Sequence, residues 1–178
     1  GSVTHTHEYG LDSSITPWIR DEGELGTISG TDFVKLYFGM RRGGRNYYAM
    51  DVTDRDNPKI DWIIKGGTNT AMGDYRELGY SWGQPVPGKI KIGDVEKEVL
   101  YIAGGYDPNQ DDTDDREVDT MGRTLYIVDR TNGHLLWSGG AAATGFTKQF
   151  TDMQYSIPAS LSVASLDPSG YDSVIYVG

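Results

Sequence analysis

The chemistry of this 178-residue chain is concentrated between Asp107 and Asp119. That stretch holds seven acidic residues and one arginine, a net charge of −6 in a chain whose total is −10. Carboxylates packed this densely repel one another unless water or a cation neutralises them. Their spacing points to a cation. Side-chain oxygens fall at Asp107, Asn109, Asp111 and Asp115, the first, third, fifth and ninth positions of the stretch, and Thr113 at the seventh can offer its backbone carbonyl. A loop that curls around an ion uses this alternation so that successive oxygens converge, as in the EF-hand.

The stretch departs from an EF-hand in three ways. Asp112 stands where that loop has glycine, Val118 stands where it has a bidentate glutamate, and strand-like sequence flanks it. Carboxylate and amide oxygens suit Ca2+, whereas Mg2+ demands tighter octahedral geometry and keeps more of its water. The spacing therefore predicts a calcium loop. The other reading is an acidic, solvated spacer.

Other chemically capable groups are sparser. Arg41-Arg42-Gly43-Gly44-Arg45 is a basic turn in an acidic chain, able to meet an anion or an acidic partner surface or simply to be solvated. Tyr47, Tyr48, Tyr75, Tyr80 and Trp82 could line a sugar- or peptide-binding surface or pack inside the fold. His5 and His7 have no third metal ligand nearby in sequence. Asp167 and Asp172 bracket a proline-stiffened turn that reads as an ordinary turn rather than a second ion site. The absence of cysteine removes disulfides, thiol nucleophiles and Cys-ligated metals. The negative charge excludes nucleic acid as a general partner. No apolar run approaches the ~18 residues that span a bilayer, so direct membrane insertion is not expected. Gly1-Ser2 reads as a cloning remnant and leaves room for an export signal ahead of it.

The elements that must carry this loop are strands. With 24 Gly, 12 Tyr and 4 Trp, and no sustained helical periodicity, the chain reads as all-β. It also repeats. A proline-bearing strand recurs around Pro17, Pro85 and Pro158. A second strand ends in glycine at Leu36–Gly39, Leu100–Gly104 and Val174–Gly178. A third ends in aspartate at Tyr47–Asp51 and Leu125–Asp129, and a fourth carries Trp62 or Trp137. Four antiparallel strands per repeat is the pattern of a propeller blade. The expectation is about two and a half blades, at 14–66, 80–140 and 155–178, with the last incomplete, making the chain a fragment of a modified β-propeller. In the turn after the third strand, Asp129 and Thr131 can bond backbone amides, and Gly133 supplies a positive φ. Such turns resemble the tryptophan motif of quinoprotein dehydrogenases. A piece of a propeller enzyme, a quinoprotein-like oxidoreductase or a glycoside hydrolase, is thus the alternative function. No nucleophile–base set stands out to support it.

Several motifs together resemble one family. Gly43-Gly44-Arg45-Asn46-Tyr47-Tyr48-Ala49-Met50-Asp51-Val52-Thr53 with Asp56-Asn57-Pro58-Lys59, then Gly104-Gly105-Tyr106-Asp107, Met121-Gly122-Arg123, Trp137-Ser138 and Met153–Ala159, are similar to the C-terminal domain of PilY/PilC-type pilus-associated adhesins. The resemblance implies a modified β-propeller with a calcium loop of Asp-x-Asx-x-Asp-x-x-x-Asp type, carried here by Asp107, Asn109, Asp111, the Thr113 carbonyl and Asp115. It implies an exported, non-enzymatic protein of the bacterial surface, pilus or periplasm. Its partners would be type IV pilus components and host or abiotic surfaces, and its roles pilus biogenesis, twitching motility and adhesion.

Overall fold

A computed structural model describes residues 9–23, 26–111, 117–141, 146–166 and 168–178. The chain is all-β, with its main sheets antiparallel. The first sheet runs β1 (Ile15–Arg20), β2 (Phe33–Phe38), β3 (Tyr47–Asp51) and β4 (Lys59–Ile64), each strand beside the one before it. A small hairpin of β5 (Asn69–Thr70) and β6 (Gly73–Asp74) fills the connection that follows. The second sheet repeats the meander with β7 (Val86–Ile92), β8 (Val95–Ala103), β9 (Thr124–Asp129) and β10 (Leu135–Gly140), and β11 (Lys148–Gln149) adds to β10 in parallel. A two-stranded pair, β12 (Ser162–Ala164) with β13 (Val174–Tyr176), ends the chain. Among the described residues no helix is long and apolar enough to cross a membrane.

The two sheets share a register, not only a strand order. Trp62 lies opposite Ala49 and Trp137 opposite Ile127, each two residues before the terminal aspartate of the third strand. Both fourth strands carry a bulge one residue before the tryptophan, at Asp61 and at Leu136. An extra residue there re-aims the side chain that follows. The turns match too: Asp51 Oδ1 accepts from the Thr53 amide and Asp129 Oδ1 from the Thr131 amide, and Gly133 sits at φ 71°.

The prolines do not mark this register as the sequence suggests. Pro17 pairs with Leu36 and Pro87 with Leu100, so Pro87, not Pro85, is the structural counterpart of Pro17. Both occupy edge strands, where a missing N–H leaves no ladder bond unmade. Pro85 and Pro158 precede their strands. The alternating run from Ile157 to Val163 is likewise not one strand: Ile157 makes an isolated bridge to Gly105, and β12 begins only at Ser162.

Two apolar layers hold the molecule together. Tyr37, Tyr47, Ala49, Trp62 and Ile64 of the first sheet pack on Leu100, Ile102, Tyr126 and Val128 of the second, with Tyr75 and Leu78 of the connection closing one side. The indole N–H of Trp62 and the hydroxyl of Tyr37 both donate to the Arg130 carbonyl, at 3.3 and 3.2 Å. The opposite face of the second sheet, with Val99, Tyr101, Ala103 and Leu125, packs on Ile157 and Leu161. Alternate residues along each strand thus feed two different interfaces. Tyr101 occupies the place of Tyr37, and its hydroxyl donates to Asp172 at 3.0 Å. Asp172 also accepts from the Lys89 amide at 2.7 Å, so it serves a turn.

Candidate functional site

The acidic stretch lies between the second and third strands of the second sheet, and the basic turn occupies the same place in the first. The base of each connection is strapped by the segment leading into the next sheet. Ser81 donates its N–H to the Gly44 carbonyl and accepts from the Arg41 amide. Ile157 does the same with Gly122 and Gly105. In the first connection the Ser81 hydroxyl also accepts from the Met40 amide at 2.7 Å and donates to the Asn46 carbonyl at 2.9 Å. Gly39 permits this approach: a Cβ there would lie 2.6 Å from the Ser81 carbonyl oxygen.

Asp107 is buried, 2% exposed, at the start of a 3-10 turn over Pro108–Gln110. Its Oδ1 accepts from the Asn109 amide at 3.1 Å. Its Oδ2 accepts from the Thr120 amide at 2.5 Å, the Thr120 hydroxyl at 2.8 Å and the Met121 amide at 3.0 Å. Burial pushes the carboxyl up, but the Thr120 hydroxyl and the three amides outweigh it, and Asp107 is held below the ordinary carboxylate range. One carboxylate thereby ties residue 107 to residues 120 and 121. Asp119 extends the fastening, donating its amide to the Gln154 carbonyl and accepting from the Ser156 amide at 2.5 Å.

Asn109 presents a different picture. Its Nδ2 donates to the Val118 carbonyl at 3.3 Å, which fixes the amide orientation. Its Oδ1 is buried and meets no donor among the described residues. Asp111 is exposed and accepts from the Tyr106 hydroxyl, whose pKa is pushed up to about 12, first by that bond. Thr113 and Asp115 lie outside the described residues. Among those described, no three His, Cys, Asp or Glu side chains converge as an ion site would require. The donor set nonetheless suits a hard cation in two respects. Among the described residues Asn109 Oδ1 meets no proton and Asp107 Oδ1 accepts one hydrogen bond, so both have acceptor capacity that a cation could use.

Beside this loop a cleft of about 550 Å3 opens between the two connections, lined by Arg42, Tyr80, Trp82, Tyr106, Pro108 and Asp111 among others. Of the aromatic residues singled out in sequence, Tyr47 and Tyr75 are core, and Tyr80 and Trp82 line this cleft. Arg41 has φ 50°, the described non-glycine residue with a positive φ, and its amide bond to Ser81 holds it there. Sequence reasoning missed Thr120, Met121 and Tyr106. Three of Asp107's four donors are backbone amides, which leave no mark in residue type, whereas Tyr106 stands next to the stretch and was within reach.

These features define an all-β chain of antiparallel sheets with an acidic connection fastened at its base. No protein-family model matches the chain, and no curated protein matches it. Its fold is similar to a solved structure, the C-terminal domain of PilY1 from Pseudomonas aeruginosa, with a TM-score of 0.56 and 22% identity over 92% of this chain. The chain spans 27% of the length of that one.

Proposed function

We propose that this chain is a calcium-binding, non-enzymatic segment of a PilY/PilC-type, pilus-associated surface protein, and that its two stacked sheets are blades of a modified β-propeller. The fold likeness to the PilY1 C-terminal domain over 92% of the chain carries this reading. The shared register of Trp62 and Trp137 supports the blades. So does the outer face of the first sheet, where Ile15, Ile19 and Ile60 are exposed, as the face awaiting a neighbouring blade would be.

Bound calcium supplies two positive charges to a stretch of net charge −6. Asn109 Oδ1, the spare acceptor capacity of Asp107 Oδ1 and the Asp111 carboxylate would hold it, joined by the Thr113 carbonyl and Asp115 that the spacing assigns. The Asp107 clamp keeps both ends of the stretch fixed whichever charge state it adopts. In the whole protein, ion occupancy would bias pilus extension against retraction, through a surface that a pilus component reads differently in the two states.

Calorimetry with Ca2+ and with Mg2+ tests the first half. Heat with calcium, lost in Asn109→Ala and in Asp115→Ala, is expected; no heat in the unmodified chain overturns it. Counting surface pili and twitching in the full-length protein bearing Asp115→Ala tests the second. Unmodified piliation and motility, with calcium binding lost, would leave the ion a structural role only.

A further inference from the structure

At and beside the cleft between the two connections lie hydrogen-bond donors that meet no acceptor among the described residues. The guanidinium groups of Arg41 and Arg42 lie 4.9 and 5.8 Å from the centre of the Trp82 ring. Neither makes an ion pair among the described residues, although Arg20, Arg55, Arg76 and Arg123 each sit on a carboxylate. Arg42 instead lies over the Tyr9 and Trp82 rings, which holds its guanidinium at the cleft. The indole N–H of Trp82 is buried and meets no acceptor among the described residues. A buried donor left unmade is costly, and a shift of the Trp82 side chain toward the cleft would let a ligand acceptor relieve it. The acid lining the cleft, Asp111, is engaged by Tyr106 and makes no ion pair with Arg42.

The donors call for an anionic acceptor, and three observations narrow its class. The ring of Trp82 already carries two guanidinium groups, which removes the bare platform on which a sugar would stack. Asp111 and the overall negative charge oppose a dianion such as phosphate more than a single carboxylate. Tyr106 and Pro108 supply an apolar wall for a neighbour of that carboxylate, while the Tyr80 ring carries Arg45. Arg42 is exposed, so the cleft is accessible.

We propose that this cleft binds an acidic peptide segment of a partner protein, seating one Asp or Glu carboxylate on Arg42 and the Trp82 indole N–H, with an adjacent apolar side chain against Tyr106 and Pro108. The cleft shares Asp111 with the proposed calcium loop, so the titration is run in a chelator, where the peptide reading stands or falls without the ion.

The test is an NMR titration of the 15N-labelled chain, with the Trp82 indole signal assigned by Trp82→Phe. The probes are acetyl-Phe-Asp-Phe-amide, its Asn counterpart, trigalacturonate and inorganic phosphate. The Asp peptide alone should move the Trp82 signal, with a Kd on the order of 1 mM. Arg42→Gln should weaken it about tenfold, and Arg42→Lys less. An unmoved Trp82 signal at about 20 mM Asp peptide, some twenty times that Kd, overturns the proposal. Equal shifts with the Asn peptide, or an unaltered response in the well-dispersed Arg42→Gln variant, do the same. Tighter binding of trigalacturonate would reassign the cleft to acidic glycans, and an equal response to phosphate would make it a simple anion site; either replaces the peptide.

Discussion

The connections between second and third strands in the two sheets occupy equivalent places and solve the same problem differently. Each leaves its sheet at a glycine, and each is strapped at the base by Ser81 or Ile157 through the same pair of backbone bonds. The first is short and basic, and a single side chain, the buried Ser81 hydroxyl, completes its fastening. The second is long and acidic, and it needs a second fastening above the first: the Asp107 carboxylate with its four donors. A short turn can be held by contact with the neighbouring strand. A stretch of like charges must be closed off from the sheets by its own clamp. The difference teaches that the repeat conserves the strap and varies what rises above it, so chemistry can change there without touching the ladder.

The largest break in this comparison should come from Asp107→Ala. It leaves the Asn109, Thr120 and Met121 amides and the Thr120 hydroxyl without their acceptor, and urea denaturation should show a loss of about 3 kcal/mol. Next in size is calcium: saturating the chain at a hundredfold excess over Kd should add about 2.7 kcal/mol. Thermal melting should show this rise reversed by a chelator and missing from Asn109→Ala. Ser81→Ala removes the equivalent fastening in the first connection and should cost about 1–2 kcal/mol, less than Asp107→Ala. A larger loss would mean the short turn depends on its side chain more than the long one does.

Acid sharpens the contrast. The Asp107 carboxyl is held below the ordinary range in the folded chain, so the unfolded chain binds this proton more tightly. Its contribution is present above the unfolded carboxylate value of about 3.9 and is lost as pH falls through the lower folded value. Asp107→Asn, which cannot titrate, should show a shallower loss of stability below about pH 4 in urea midpoints taken across pH. Smallest of all, Arg42→Gln touches an exposed side chain of the short turn and should move stability by no more than about 0.5 kcal/mol.

Much of the ladder was legible. Strand ends at Gly39, Asp51, Gly104 and Asp129, and the matched tryptophans, follow from residue types whose conformational demands are local. The proline alignment misled because Pro17 and Pro85 share a residue type, while register is set by facing pairs such as Tyr37–Ala49 and Tyr101–Ile127. The unequal surroundings of the two tryptophans were also hidden. Trp62 is buried under the second sheet, whereas Trp137 is only partly covered, beside an apolar cleft lined by Ile90, Ile92, Leu136 and Ile175. In the acidic stretch, spacing singled out Asp107 as an expected ion ligand but not the protons that bond it, since the Thr120 and Met121 amides have no signature in composition.

The double fastening below the acidic stretch has a practical consequence for engineering. With residues 107 and 120–121 joined through one carboxylate, the chain between them behaves as a closed ring hung on the sheet. Doubling the length of a flexible ring costs only about 0.6 kcal/mol. A tag or an epitope spliced between Asp111 and Glu117 should therefore leave the strands on either side in place while breaking the spacing through Thr113 and Asp115, which makes it a way to separate the calcium loop from the sheet that carries it.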